Sequence, residues 1–221
     1  MADNYLEKKS EAFYSDRKAP VRHPGVSLDT LFARNRSCRG YDKSYKVHRL
    51  QLERIAGVCT KVASAMNRQP LRFRLVTASD EAQAPLSRPS EIVLGHIRLG
   101  GALPELHLPL PGTEPEAFIV VCSAVPEDRY VDMDLGIAAQ SMLLKATEMG
   151  LNGIMIGAFN KAKITEAFNL PCEPLLILAI GKGNETIKLQ PVDEGEKLAY
   201  YRDEKGVQFV PKIRWEQLII E

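Results

Sequence analysis

The sequence lacks the short motifs that identify most common enzyme classes. Its 221 residues contain no G-x-G-x-x-G segment, no Walker phosphate loop, no G-x-S-x-G and no H-E-x-x-H. Gly181-Lys182-Gly183 follows an apolar run but lacks a third glycine and a following helix. These absences argue against a Rossmann dinucleotide fold, a P-loop nucleotidase, a serine hydrolase and a zinc protease.

The sequence also has little net charge and no long apolar run. Its formal charge is +1, so no overall field attracts nucleic acid or an anionic membrane. The longest apolar runs, such as Leu175–Ile180, are far too short to cross a bilayer. The first 24 residues lack the apolar core of a signal peptide. We therefore expect a cytoplasmic protein that binds neither nucleic acid nor membrane.

Cysteine is scarce, and its spacing argues against metal binding. The four cysteines lie far apart without a C-x-x-C pair, and the four histidines show no metal-ligand spacing. We expect free, reduced thiols packed as small apolar groups, which suits a reducing compartment, and no metal site.

The chain divides into a polar arm and one domain. Residues 1–26 are charged and interrupted by Pro20 and Pro24, so this arm is either loose or wrapped around a partner. Residues 27–221 are predicted to form a single α+β domain with a central, mostly antiparallel sheet of four or five strands flanked by helices. Residues 79–115 hold six prolines and give little pattern beyond a helix over Glu91–Leu99. Loops there are candidates for substrate contact.

Apolar periodicity gives the remaining elements. The predicted helices cover Leu28–Asn35, His48–Met66, Asp132–Met149 and Lys161–Asn169. The predicted strands cover Leu71–Thr77, Ala117–Ala124, Gly153–Gly157 and Leu175–Gly181, and a hairpin covers Tyr200–Val210.

Two apolar surfaces suggest a second subunit. The helix over Asp132–Met149 is apolar almost all the way round, which predicts burial at the domain centre, at a subunit interface, or both. The apolar end, Trp215–Ile220, has little nearby to bury against. We therefore expect the tail, residues 196–221, to dock on a partner subunit.

Three polar clusters could carry chemistry. Residues 34–39 hold three arginines and Ser37, which fits either a phosphate site or a solvated basic turn. Asn67-Arg68-Gln69-Pro70 fits either the edge of a planar heterocycle or an ordinary helix stop. Lys212 and Arg214 share one side of a predicted strand, and fit either an anion site or a surface pair.

Together and in this order, these clusters resemble the nitroreductase family of flavoenzymes over roughly Leu28–Leu218. The family's opening basic–Ser–x–basic–x–aromatic motif resembles Arg36-Ser37-Cys38-Arg39-Gly40-Tyr41, and its N-x-Q-P motif is matched by residues 67–70. Its central helix, the strand and turn that follow, the strand ending in Gly181 and a terminal K-x-R pair are matched as well.

The resemblance implies an intertwined homodimer with FMN at each interface. Ser37, Lys212 and Arg214 would bind the FMN phosphate, with Arg36 as a further candidate. Arg39 would lie near the pyrimidine edge, and Asn67 and Gln69 near the ring and ribityl chain. Ile156, Gly157 and Ala158 would lie along the flavin, with the Gly157 N–H facing N5.

The resemblance also implies a ping-pong oxidoreductase. NADH or NADPH would deliver hydride to flavin N5, and an electron-poor small molecule such as a nitroaromatic or quinone would then accept the electrons. The cofactor supplies the chemistry, so no catalytic side chain is assigned. The alternatives are another FMN reaction on this fold, such as dehalogenation or heterocycle oxidation, and a non-catalytic flavin-binding or partner-binding protein.

Some positions depart from the family pattern. Asn35 replaces the first of two basic residues that often precede the serine, and Arg34 lies one step too early. Leu71 stands where an aromatic residue often follows N-x-Q-P, and Gly157 replaces a larger residue. The backbone contact expected of Gly157 survives that change. The sequence identifies neither the physiological acceptor nor the preferred nicotinamide.

Overall fold

A computed structural model describes residues 25–78, 89–98 and 108–220 of the chain. Most of the expected arm, part of the segment 79–115 and Glu221 lie outside the described residues. Among the residues that are described, no helix is both long enough and apolar enough to cross a membrane.

The described chain contains five α-helices and seven strands. The helices are α1 Leu28–Arg34, α2 Arg49–Ala56, α3 Pro89–His96, α4 Arg129–Glu148 and α5 Lys161–Phe168. Short 3₁₀ turns cover Gly57–Thr60, Ala65–Asn67 and Trp215–Leu218. The strands are β1 Leu71–Val76, β2 Ala117–Ser123, β3 Asn152–Ile156, β4 Glu173–Gly181, β5 Ile187–Val192, β6 Tyr201–Arg202 and β7 Gln208–Ile213.

The main sheet has the strand order β1-β2-β4-β3, and all its pairings are antiparallel. Strand β2 is buried along its whole length, as its unbroken apolar sequence predicts. Ile119 and Val121 pack toward α2 and α4, while Phe118 and Val120 face the opposite core with Val93 and Ile164. This arrangement confirms the α+β class and the antiparallel four-stranded sheet.

Helix α4 spans the domain and is well terminated. The Asp128 carboxylate accepts hydrogen bonds from the backbone N–H groups of Tyr130 and Val131, and Gly150 follows the helix at φ +76°. One face of α4 is buried in the core, but Met133 and Ile137 are exposed. Apolar side chains therefore lie on both faces of α4, as expected, but the rest of this chain buries only one of those faces.

The predicted helix over His48–Met66 is wrong in its second half. Helix α2 ends at Ala56, and Gly57 is its C-cap. Further on, the Asp134 carboxylate on α4 accepts the backbone N–H of Ala65 at 2.8 Å, and Met66 has a left-handed φ of +52°. The apolar stripe is real, but Gly57, a poor helix former, caps α2, and the left-handed Met66 interrupts any helix further on.

A second sheet, β5-β7-β6, was not predicted as such. Strands β5 and β7 are parallel, while β6 and β7 form the expected hairpin, in which Gly206 has φ +76°. The apolar tail that follows β7 is exposed to solvent in this chain: Trp215 is 68% exposed and Ile220 is 97% exposed. Docking of this tail on a partner subunit stays a prediction.

Candidate functional site

The basic segment Arg36–Arg39 runs along the edge of the main sheet. Ser37 forms a parallel bridge with Gly153 at the start of β3, and the Cys38 N–H donates to the Gly153 carbonyl at 3.1 Å. A Cβ on Gly183 would lie 2.9 Å from the Cys38 sulfur, so glycine permits this close approach. The segment is therefore fixed by main-chain contacts.

Both arginines of this segment carry a buried polar atom without a partner. The guanidinium of Arg36 donates to the Phe32 carbonyl, and burial lowers the Arg36 pKa. Arg39 is only 8% exposed, lies 4.6 Å from the Tyr200 ring centre and donates to the Ser37 carbonyl at 3.1 Å. The Nε atoms of both arginines are buried and have no hydrogen-bond partner in the described structure. Such groups are rare in proteins unless a ligand or water satisfies them.

A cavity of about 380 Å³ opens beside this segment. Arg34 and Arg36 both line it, together with Asn152 and Gly183. Arg34 therefore reaches the same space as Arg36, although it lies one position early in the motif. Ser37 is exposed next to the cavity. The concentration of guanidinium groups suits an anion such as a phosphate.

Glu185 organises this region and was not among the residues predicted from the sequence. Its carboxylate accepts the backbone N–H of Arg39 and forms an ion pair with Arg202. Together with burial, Glu185 raises the pKa of the Cys38 thiol to about 12. The contact to Arg39 spans 146 positions, and no sequence pattern near Glu185 signals it.

The Asn67–Pro70 motif forms a turn of unusual backbone geometry. Met66, Asn67 and Gln69 have φ values of +52°, +54° and +47°, in the left-handed region. The Gln69 side chain donates to the Asn67 side-chain oxygen at 3.0 Å, and both residues are exposed. Left-handed non-glycine residues cost about 1–3 kcal/mol each and concentrate at functional sites.

The turn is anchored at the N-terminal end of α4. Arg68 forms an ion pair with Asp128 at 3.0 Å, and Asp134 holds the Ala65 N–H. The cavity beside Arg36 is instead lined by Thr147 and Gly150, at the other end of this 20-residue helix. A helix of that length is about 30 Å long. One chain therefore does not bring the two clusters together.

Ile156, Gly157 and Ala158 lie where β3 ends, away from the bridge between Ser37 and Gly153. Gly157 is exposed, and a Cβ at this position would meet no atom within 4 Å. The Ala158 carbonyl accepts the N–H of Arg98 at 2.9 Å. The turn is thus open to solvent at Gly157 and is held at Ala158 by the hydrogen bond from Arg98.

Lys212 and Arg214 lie at the end of β7 and are exposed. Arg214 forms an ion pair with Asp193 at 3.1 Å. The register that pairs Lys212 with Pro191 and Gln208 with Ile187 places Lys212 four strand residues, about 13 Å, from the Ile187 end of the small sheet. That end lies near Arg36, because Ile187 lines the same cavity. The phosphate contact predicted for Lys212 and Arg214 stays a prediction.

The described residues contain no group of three or more histidine, cysteine or acidic side chains that could hold a metal ion.

Comparison with known proteins identifies the chain. Residues 33–182 match the sequence model of the Nitroreductase family, which is most of the chain. The chain belongs to the nitroreductase family. The matched range includes Arg36–Arg39, Asn67–Pro70 and Ile156–Ala158 but leaves out Lys212 and Arg214.

Individual relatives are more distant. A Methanocaldococcus jannaschii protein, named provisionally as a nitroreductase, is 39% identical over 54 residues, or 24% of this chain and 27% of that protein. This nitroreductase-family chain therefore spans about a quarter of the length of the curated relative it matches.

Solved structures support the fold. A nitroreductase family protein from Clostridium difficile 630 has a TM-score of 0.54 at 24% identity, covering 72% of this chain and 86% of that chain. A mutant of an FMN- and NADPH-dependent nitroreductase derived from Sphigopyxis sp. strain HMH has a TM-score of 0.55 at 20% identity, covering 72% and 89%. These likenesses confirm the nitroreductase-like fold.

Proposed function

We propose that this protein is an FMN-dependent oxidoreductase that transfers two electrons from NADH or NADPH to an electron-poor small molecule, such as a nitroaromatic or a quinone. Membership of the nitroreductase family supports this function, and so does the FMN and NADPH dependence of the Sphigopyxis protein. The observation that carries it is the pair of buried Nε atoms on Arg36 and Arg39 that lack partners in the described structure, beside a strand that leads to an open turn.

The residues of this site fit a flavin mononucleotide. Ser37 and Arg36, joined by Lys212 and Arg214 if the tail rearranges, would bind the phosphate. Arg39 would place a fixed positive charge at the pyrimidine edge, where negative charge on the reduced ring is stabilised. Each charge-assisted hydrogen bond contributes about 1.5–3 kcal/mol, so three or four hold FMN tightly without a covalent link.

Other residues would orient the ring. Asn67 and Gln69 offer amide donors and acceptors to its polar edge. Ile156 and Ala158 would lie along the flavin, and the Gly157 N–H would face N5. Bound FMN would supply hydride acceptance and donation at N5.

The geometry also favours a site built from two chains. The Asn67–Gln69 turn and the Arg36–Arg39 segment lie near opposite ends of α4, a 20-residue helix about 30 Å long. A homodimer with two-fold symmetry would bring the turn of one subunit to the basic segment of the other, twice over. The exposed side chains of Met133 and Ile137, and the uncovered tail, are apolar surfaces that such a partner would bury.

We also propose a cytoplasmic location. All four cysteines are free thiols, and a reducing compartment keeps cysteines in this state.

Anaerobic absorption spectroscopy tests the proposed function. We expect the purified protein to show the bands of oxidised flavin, and NADPH or NADH to bleach them. Arg36→Gln and Arg39→Gln should each weaken FMN binding by about 10-fold to 150-fold, the loss expected for one charge-assisted hydrogen bond. Arg54→Gln, at an exposed arginine on α2, is the matched control and should bind FMN normally. Protein that takes up no added FMN would rule the function out.

A further inference from the structure

The aromatic ring of Tyr200 covers the guanidinium group of Arg39. The Arg39 Cζ atom lies 4.6 Å from the centre of the Tyr200 ring, which is the geometry of a cation–π contact. Arg39 is buried and Tyr200 is half-buried. Away from water, such a contact favours one position of the cation by about tenfold or more. Tyr200 therefore holds the side chain that is assigned to the pyrimidine edge of the flavin.

The backbones on both sides of this contact are tied to one carboxylate. Glu185 accepts the backbone N–H of Arg39 and forms an ion pair with Arg202, two positions after Tyr200. The Arg202 guanidinium also donates to the Gln208 side chain at 3.2 Å, and the two residues are paired across β6 and β7. The ring and the guanidinium are therefore fixed relative to each other by their backbones.

The positive charge of Arg39 has no neutralising carboxylate. Its Nη1 atom donates to the carbonyl of Ser37, which carries no net charge. Glu185 contacts only the backbone of Arg39, and its own charge is paired with Arg202. Arg39 forms no ion pair within the described part of the chain. Because the dielectric constant is low away from solvent, such a charge acts over several ångströms and does not need to be open to water.

We propose that Tyr200 is a positioning residue that holds Arg39 in place and thereby strengthens the binding of reduced FMN relative to oxidised FMN. This role rests on the proposed function, in which Arg39 lies at the pyrimidine edge of the flavin. The oxidised ring is neutral and the reduced ring carries negative charge, so a fixed cation stabilises the reduced ring more. A guanidinium released from Tyr200 would move toward solvent, where water screens its charge. Tyr200 acts on the flavin through Arg39 and not by direct contact.

Chemical modification tests the contact between Tyr200 and Arg39. Phenylglyoxal reacts with accessible guanidinium groups, and peptide mass spectrometry measures its addition to Arg39 in the full-length protein freed of any FMN. We expect Tyr200→Leu to raise the rate of this addition about tenfold, because the cation–π contact is lost. Tyr200→Phe keeps the ring and should react as slowly as the native protein. Tyr200→Gln replaces Tyr200→Leu if that variant does not fold.

The neighbouring Tyr201 supplies the matched control. Its ring stacks on Phe209 at 5.2 Å in the small sheet, so Tyr201→Leu removes an aromatic ring one position away from the contact. We expect Arg39 to stay protected from phenylglyoxal in this variant. A rise equal to that of Tyr200→Leu would mean that any loosening of the small sheet exposes Arg39, and would overturn the proposal.

The reduction potential of bound FMN tests the effect on the flavin. Anaerobic spectroelectrochemistry gives the midpoint potential, and titration with oxidised FMN gives its dissociation constant. We expect Tyr200→Leu to bind reduced FMN about tenfold less tightly relative to oxidised FMN, which lowers the two-electron midpoint potential by about 30 mV. Tyr200→Phe and Tyr201→Leu should keep the native potential.

The two measurements separate failure of this role from failure of the proposed function. Rapid modification of Arg39 in the native protein or in Tyr200→Phe, or a native potential in Tyr200→Leu, would overturn the role of Tyr200 while the protein still binds and reduces FMN. Tighter binding of FMN in both redox states by Tyr200→Leu would show that the ring occupies the flavin's place, and would overturn it too. Native protein that protects Arg39 but takes up no FMN would refute the proposed function and, with it, any effect of Tyr200 on a flavin.

Discussion

Glu185 ties the basic segment to the small sheet, since it binds the Arg39 N–H and pairs with Arg202. The two paired side chains are 5% and 17% exposed. Removing one charge from a buried pair leaves the other uncompensated and costs about 3–5 kcal/mol. We expect Glu185→Gln to lower the free energy of unfolding in urea by about 3 kcal/mol. The same substitution at Glu166, in an exposed pair with Lys163, should cost less than about 1 kcal/mol. Similar losses at both positions would show that Arg202 is not buried as described.

The thiol of Cys38 should be inert in the folded protein. Burial and the nearby Glu185 carboxylate raise its pKa to about 12, and a raised thiol pKa means less of the reactive thiolate. At pH 8 only about one molecule in ten thousand would carry the thiolate. We expect iodoacetamide to alkylate Cys38 at pH 8 in urea but not under native conditions, as measured by peptide mass spectrometry. Equal rates in the two conditions would contradict this.

At the scale of elements, the apolar pattern of the sequence predicted the helices and strands that depend on interactions between residues close in the chain. Strand β2 and helix α4 follow from an unbroken apolar run and an apolar surface. The path of the chain after α2 was not predicted, because the Asp134 carboxylate that accepts the Ala65 N–H lies 69 positions away in the sequence. A signal did exist: Asp134 is an acidic residue on the buried face of α4, between Val131 and Ala138. The basic cluster and the N-x-Q-P turn were found from sequence, but the role of Glu185 was not.

Relieving the backbone strain of the Asn67–Gln69 turn should stabilise the fold, and at Gln69 it should also weaken FMN binding. Met66 and Gln69 both have left-handed φ values, which cost a side-chain-bearing residue about 1–2 kcal/mol that glycine avoids. We expect Met66→Gly and Gln69→Gly each to raise the free energy of unfolding by about 1 kcal/mol in urea titrations. Only Gln69→Gly should also weaken FMN binding in fluorescence titrations, because it alone removes a side chain assigned to the flavin. Equal FMN affinities in the two variants would show that the Gln69 side chain does not contact the flavin.

At the scale of the whole molecule, we expect helix α4 to carry the proposed contact between subunits. Tyr130, Met133 and Ile137 form an exposed apolar stripe on it, and Ile137 is 42% exposed. Large apolar side chains in a row on one helix face mark a protein–protein contact. The two halves of the proposed flavin site lie near the two ends of this helix, so pairing of subunits and completion of the site should be one event.

Ile137→Asp therefore tests assembly and function together. A carboxylate buried at a subunit contact is costly, so we expect the variant to be a monomer by light scattering where the native protein is a dimer. Its FMN binding should fall together with the dimer fraction, because Asn67 and Gln69 would no longer reach the basic segment of the other chain. Leu110→Asp places the same charge at a residue that is 48% exposed away from α4, and should leave a dimer that binds FMN. A monomeric Ile137→Asp variant that still binds FMN tightly would show that one chain completes the site, and would refute the two-chain arrangement while leaving the flavin assignment intact.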